Sequence, residues 1–323
     1  MPKAKVVFLS SLPTIRGKEL VEMAPPDMEV VAIDNTLPDS QKIPLCKDAD
    51  AIIVVPADLS VNVLRACPKV KLIQTLSAGY DRLDLKAIGE MGIPVANNGG
   101  SNAISVAEQT IALMIATSKH FVRHWQSAKN RRWREEVQNL EAHEISGKTV
   151  GIVGLGRIGR QVAKRLRGFD CNVVYYDVLS FPEEVNTVFN ARPVPLDHLL
   201  RTSDFVTLHV PLNRSTRHMI GRRELAMMKP TAILISTCRG PVVDEKALYE
   251  TLKAGKIKAA GLDVLEVEPT PKDNPLFDLD NAVITPHMAG SSVESNTRGA
   301  AFAFHNIRRV LEGKTPESLV TPE

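Results

Sequence analysis

Short apolar runs rich in β-branched residues, each followed by a stretch with helical spacing, recur along the whole 323-residue chain. Before residue 100 the runs are KVVFLS, EVVAID, AIIVV, KLIQTL and IPVAN; after it they are TVGIVG, NVVYYD, FVTLHV, AILIST, AAGLDV and AVITP. Runs so short and so uniformly apolar suit strands covered on both faces, as in a parallel sheet flanked by helices. Because the alternation occurs twice, the chain is expected to be α/β, with two doubly wound parallel-sheet domains and a cleft between them. The segment 101–120 is apolar on nearly every side, and Ser105 and Glu108 have capping-box spacing, so a long buried helix is expected to link the halves. A second helix over about residues 292–311 would return the chain, giving a first domain of 1–100 plus 292–323 and a second of 101–291.

The stretch VGIVGLGRIGR places Gly154, Gly156 and Gly159 in G-x-G-x-x-G spacing. Glycines alone fit any turn, so their setting decides. A strand-like run precedes them, and Ile158, Val162, Ala163, Leu166 and Phe169 then recur at helical steps while Arg160, Lys164 and Arg167 can reach water. The next strand-like run ends on Asp177, 18 residues after Gly159 and 23 after Gly154. This is the pattern of a dinucleotide-binding βαβ unit: Gly154 makes the tight turn, Gly156 admits a pyrophosphate, and Gly159 lets helix and strand pack closely. The helix N-terminus offers unpaired N–H groups to the phosphates. Asp177 would accept from the adenine ribose hydroxyls and repel a 2′-phosphate, and Val178, Leu179 and Ser180 add no cation, so NAD(H) is favoured over NADP(H).

A formal charge of +3 is too small for this length to indicate nucleic acid or an anionic membrane as a partner. The basic run KNRRWR, residues 129–134, reads as a solvated face or a subunit contact. Cys46, Cys67, Cys171 and Cys238 show no C-x-x-C pairing, there is no secretory signal pattern, and no apolar run reaches 18 residues, so a cytoplasmic protein is expected. His120 and His124 lie four apart on the expected linking helix without a third ligand, and no metal is expected. Cys238 beside Arg239 reads as a small lining residue, although a neighbouring cation would lower its thiol pKa. Asn213 to Ser215 fits a glycosylation sequon of no consequence in that compartment.

Catalytic groups of such a sheet belong at the carboxyl ends of its strands. There STCRGPVVDE places Arg239, LDVLEVEP places Asp263 and Glu268, and ITPHMAG places His287. A carbonyl that accepts hydride needs a nearby acid, and histidine is the side chain suited to that task near neutrality. A carboxylate beside the histidine favours its protonated form, and an arginine fork suits a substrate carboxylate. Singly, each of the three could be an ordinary surface residue; their placement at successive strand ends argues for a shared role.

These stretches, with LSAGYDRLDL, ANNGGSNAISVAEQTIALMI, LHVPLNRSTRHMI and NPLFDLDNAVITPHMAG, make nearly the whole chain resemble the D-isomer-specific 2-hydroxyacid dehydrogenase family. The resemblance implies a flavodoxin-like substrate domain and a Rossmann NAD domain. It implies that Arg239, Glu268 and His287 are catalytic, that Arg157 and Ile158 touch the pyrophosphate, and that Asp177 is the ribose acid. Asp263 would lie near the nicotinamide amide, with His209, Pro211, Thr216, Thr237, Cys238, His287 and Gly290 also on the cofactor. The turn of Ser77, Ala78 and Gly79 would hold the substrate carboxylate together with Arg239. Family members are usually dimers, so RHWQSAKNRRWREE is expected to be an interface arm of a homodimer. Ser236 stands where the family commonly has asparagine, and the regulatory C-terminal domain of many phosphoglycerate dehydrogenases is expected to be absent.

The expected activity is therefore reduction of a small 2-keto acid by NADH, with glyoxylate or hydroxypyruvate favoured on family grounds. Phosphoglycerate dehydrogenase-like activity, phosphite oxidation and an NAD(H)-sensing corepressor-like binding protein are the alternatives.

Overall fold

The computed structural model describes residues 3–11, 13–135 and 137–321, so Met1, Pro2 and, in the expected interface arm, Glu136 lie outside the described residues. The chain forms two compact units, Met1–Asn102 with Ser291–Glu323, and Ala103–Gly290. In chain order the strands are β1 (Ala4–Ser10), β2 (Met28–Asp34), β3 (Ala51–Val55), β4 (Ile73–Thr75) and β5 (Val95–Ala96), then β6 (Thr149–Val153), β7 (Asn172–Tyr176), β8 (Ala191–Pro193), β9 (Phe205–Leu208), β10 (Ile233–Ser236), β11 (Ala259–Leu262) and β12 (Ala282–Ile284), and finally β13 (Leu319–Val320).

The first unit has the sheet order β13-β5-β4-β3-β1-β2. Its first five strands are parallel in the flavodoxin-like order, while β13 runs antiparallel to β5. The apolar runs explain the burial directly. In β1, Val7 and Leu9 enter one core with Ile52, Val54 and Ile73, while Val6 and Phe8 enter another with Ile53 and Leu72. Alternate side chains thus fill both faces. The second face is closed by the helix Val293–Leu311, which contributes Ala300, Ala303, Phe304 and Ile307. Its start matches the expected return helix, with the Ser292 side chain accepting from the Ser295 amide.

The second unit has the order β12-β11-β10-β9-β6-β7-β8, all parallel, which is the Rossmann order extended by one strand. The edge strand β8 was not among the expected strands, because its three residues, Ala-Arg-Pro, carry no apolar run. The sequence of strand addition reverses between β6 and β9, and their carboxyl ends therefore flank the topological switch point.

The helix expected over 101–120 is shorter, Ala103–Ser118. It begins before Ser105, whose hydroxyl donates to the Ala289 carbonyl at 2.7 Å and does not cap. It ends before His120, which has φ +49° and turns the chain into a separate helix, Phe121–Lys129. His120 and His124 consequently do not share the first helix. Buried Ala107, Ile111 and Met114 of the Ala103–Ser118 helix pack with Val150, Ile152 and Ile235 of the sheet.

Gly154, immediately after β6, combines φ +95° with a position where an added Cβ would stand 2.7 Å from the His209 carbonyl oxygen. Gly154→Ala is therefore expected to destabilise the protein by at least about 1–2 kcal/mol, the ordinary cost of a left-handed backbone for a residue with a Cβ. Chemical denaturation checks this; an unchanged midpoint would mean that the turn relaxes freely.

Candidate active site

At the switch point the helix Arg157–Leu166 starts from Gly156 with no side-chain cap. An added Cβ on Gly156 would meet nothing within 4 Å, so the approach to the helix N-terminus is open. An added Cβ on Gly159 would instead strike the Gly154 carbonyl oxygen, which is the close helix-strand packing expected of the third glycine. Asp177 follows β7 directly. Its Oδ2 accepts from the Leu155 amide at 2.7 Å and its Oδ1 from the Leu179 amide at 2.9 Å, so the carboxylate is held against the glycine turn. Each oxygen keeps a lone pair for a further donor. These residues fit a dinucleotide: an uncapped helix N-terminus, a glycine facing open space and an oriented acid.

Other expected cofactor residues hold the same rim together. Arg157 is exposed and Ile158 packs against the core. Arg160, expected in water, is half-buried: its Nε donates to the Leu155 carbonyl and its guanidinium lies 4.7 Å from the Phe181 ring centre. The two ring nitrogens of His209 are shut off from solvent without a partner, and burial pushes its pKa down to about 3, leaving a neutral ring. Pro211 is exposed, and its carbonyl accepts from the buried Thr216 hydroxyl at 2.6 Å. The Thr237 and Thr110 hydroxyls are 3.0 Å apart. Cys238 is buried, and burial raises its thiol pKa against the opposing Ser236 bond and Arg239 charge, so the expected lowering by the neighbouring cation does not win. Gly290 is half-buried beyond Ala289.

The catalytic candidates gather in one place. His287 Nδ1 donates to Glu268 Oε2 at 2.6 Å, with both side chains partly accessible. Glu268 Oε1 accepts from the Leu265 amide at 3.1 Å. Burial pushes the Glu268 carboxyl up, but the bond and charge of His287, the Leu265 amide and the Arg239 charge together hold it below the usual carboxylate range. Glu268 thus stays ionised and orients the imidazole, leaving Nε2 as the nitrogen able to meet a substrate. Arg239 is half-buried in an extended conformation, and its Nη1 donates to the Cys238 carbonyl at 2.8 Å.

Asp263 is the residue whose motif position conceals most. Only 1% exposed, its Oδ1 accepts from the Thr285 hydroxyl and the Met288 amide, and its Oδ2 from the Ala289 amide. The Asp263 carbonyl also accepts from the His287 amide at 2.7 Å. These bonds hold His287 at φ +53°, a conformation uncommon for a residue with a side chain. The sequence shows only an acid after an apolar run and a Thr-Pro-His run 22 to 24 residues later, and nothing in it marks this anchoring.

In the first unit, the carbonyls of Ser77, Ala78 and Gly79 accept respectively from Thr75 Oγ1, Asn97 Nδ2 and Ser77 Oγ. Among the described residues no acceptor meets the three amides of this turn. Among the described residues, no group of three or more His, Cys, Asp or Glu is placed to hold a metal ion, and no helix is long and apolar enough to cross a membrane.

Comparison with known proteins agrees with this geometry. The family described as "D-isomer specific 2-hydroxyacid dehydrogenase, NAD binding domain" matches residues 111–289. The chain is 40% identical over 291 residues to a glyoxylate reductase of Korarchaeum cryptofilum, covering 88% of this chain and 87% of the relative. It is 38% identical over 285 residues to a hydroxypyruvate reductase of Thermotoga maritima, covering 87% and 91%. It is 42% identical over 276 residues to a D-3-phosphoglycerate dehydrogenase of Methanocaldococcus jannaschii, covering 85% of this chain but 52% of the relative, so it spans about half of that protein's length. A solved acyclic imino acid reductase in complex with NADPH and D-arginine superposes with a TM-score of 0.84 at 27% identity, covering 98% of this chain and 99% of that one. The protein belongs to the D-isomer-specific 2-hydroxyacid dehydrogenase family, and its second unit carries the family's NAD-binding domain.

Replacing Asp263 by asparagine leaves one of three buried donors facing an NH2 group. Asp263→Asn is expected to cost about 1–3 kcal/mol, the penalty of one unsatisfied buried polar group. Urea unfolding measures it, and a cost near zero would show that the 285–289 loop does not depend on the carboxylate.

Proposed function

We propose that this protein is an NAD(H)-dependent reductase of small 2-keto acids, and the oxidoreductase of D-2-hydroxy acids in reverse. The observation that carries the reading is the Glu268–His287 pair at 2.6 Å, within reach of the Arg239 charge. When bound, a nicotinamide supplies the hydride that this chemistry needs. Glu268 orients the imidazole and balances its charge when protonated, His287 Nε2 delivers a proton to the carbonyl oxygen, and Arg239 binds the substrate carboxylate and polarises the neighbouring carbonyl. The amides of Ser77, Ala78 and Gly79, which meet no acceptor within the described chain, are the groups of the first unit proposed to bind a substrate carboxylate.

Glyoxylate and hydroxypyruvate are the favoured substrates, supported by the relatives named for them. Phosphohydroxypyruvate is the second candidate, supported by the phosphoglycerate dehydrogenase relative. The preference for NAD(H) rests on the Asp177 carboxylate, whose charge opposes a 2′-phosphate. A homodimer formed through the Phe121–Lys129 helix and the chain after it is supported by the exposed Phe121, Trp125 and Trp133 on that segment.

The test is the initial rate of NADH oxidation across glyoxylate, hydroxypyruvate, pyruvate and phosphohydroxypyruvate. One preferred 2-keto acid is expected; tight NADH binding with no turnover of any of them would favour a cofactor-sensing protein. His287→Ala should lower turnover by roughly 10²- to 10⁴-fold, the usual contribution of general acid catalysis, with NADH affinity retained. An unchanged rate would remove His287 from the reaction. Asp177→Ala should weaken NADH and narrow its advantage over NADPH in a parallel titration; a preserved ratio would contradict the role given to the acid.

A further inference from the structure

Glu245 lies outside the assigned chemistry, yet it grips the loop that carries Glu268. It opens the helix Glu245–Lys253 behind the Asp244 cap. Its Oε2 accepts from the Glu266 amide at 2.6 Å and its Oε1 from Asn274 Nδ2 at 2.7 Å. Asn274 cannot turn its amide over without loss, because its Oδ1 caps the Leu276 amide at 3.0 Å. Both partners are therefore fixed donors, and only a carboxylate satisfies the two together.

The held segment is short and connected to the acid. Glu266 is two residues before Glu268, and Leu265, the residue before Glu266, gives its amide to Glu268 Oε1. The Glu266 side chain meets His218 Nε2 at 2.8 Å, while the His218 and Ile220 amides donate to the Pro241 and Val242 carbonyls. An added Cβ on Gly240 would collide with the Leu265 carbonyl, so the residue after Arg239 sits flush on the same loop. The Arg239 turn and the Glu268 loop are thus fastened to each other, with Glu245 at the end of the fastening.

We infer that Glu245 is a positioning residue for the reaction: its carboxylate, bridging the Glu266 amide and Asn274, sets where Glu268 meets His287. This deepens the reductase reading above and rests on it for its kinetic consequence. A displacement of the Glu268 loop would misplace the imidazole against the substrate without touching the cofactor rim.

The experiment is a double-mutant cycle of Glu245→Gln and Asn274→Asp, read by kcat, KM, NADH affinity and the carbon-13 titration of the Glu268 carboxyl. In Glu245→Gln the new NH2 faces the Asn274 NH2, and in Asn274→Asp two carboxylates face each other. Each single change is expected to lower kcat by roughly 10- to 100-fold, the scale of a catalytic group misplaced by about 1 Å. NADH affinity and KM should stay within about threefold, and the Glu268 titration should move up as its Leu265 and His287 bonds loosen. The double variant restores complementarity, since the introduced amide can donate to the introduced carboxylate, and should recover kcat and the Glu268 titration together. Wild-type kcat and titration in Glu245→Gln would overturn the inference, as would losses that the second substitution fails to rescue. If the unmodified protein turns over no 2-keto acid, the reductase reading fails, while the Glu268 titration across the cycle still decides whether Glu245 positions it.

Discussion

The parallel ladder of the second unit brings six strand ends to one level. Val153 pairs with Tyr176 and with Leu208, Leu208 with Ser236, Ser236 with Leu262, and Leu262 with Ile284. The chain just beyond each pair must then do something other than lengthen the sheet. There stand Gly154, Asp177, His209, the Thr237–Arg239 turn, Asp263, and the loop from Thr285 to His287. Register, which is set by burial of alternate apolar side chains on both faces, therefore decides which polar residues meet. No local property of Arg239 or His287 places them together; the hydrogen bonds between strands do.

Two acids at that rim are neighbours in sequence and opposite in use. Asp263 is buried under three donors and acts on backbone shape, holding His287 left-handed. Glu268 remains partly accessible and acts on a side chain, giving one oxygen to the imidazole and one to the Leu265 amide. One fixes where the ring is, and the other fixes which way it faces. This division explains why a half-exposed histidine in a loop can be held with the definition usually found inside a core.

Much of this was legible from residue order, because a βαβ unit announces itself through strand, glycine turn, helix and acid in fixed spacing. Gly154, Gly159 and Asp177 could be read in that way, and so could the strand-end positions of Arg239, Glu268 and His287. The failures have physical causes too. Ser105 has the spacing of a cap, but the helix starts two residues earlier at Ala103, and its hydroxyl serves Ala289 instead. His120 fits a helical period, yet the chain reverses there into a left-handed turn that periodicity does not encode. β8 and β13 are two or three residues long, each with one buried apolar residue, Ala191 and Val320, too few to show as an apolar run, and their place is set by pairing, β8 with β7 and β13 with β5. Cys238 shows the limit of reading neighbours along the chain: the adjacent arginine matters less to the thiol than the burial that only the fold reveals.

The first unit is assembled from two separate stretches of the chain, and this has a consequence for biosynthesis. Residues Ala103–Gly290 form a contiguous unit, so all its strands are synthesised before the helix Val293–Leu311. The first unit must wait for that helix to cover Val6, Phe8, Ile53 and Leu72, and for Asn306 to donate to the buried Gln74 side chain at 2.9 Å. During translation the chain thus carries a sheet with one apolar face covered only in part, by Leu20 and Ala24, while the later unit matures, an interval in which chaperone capture and self-association compete with completion. Strand β1, synthesised ahead of the entire second unit, is among the last elements to be sealed.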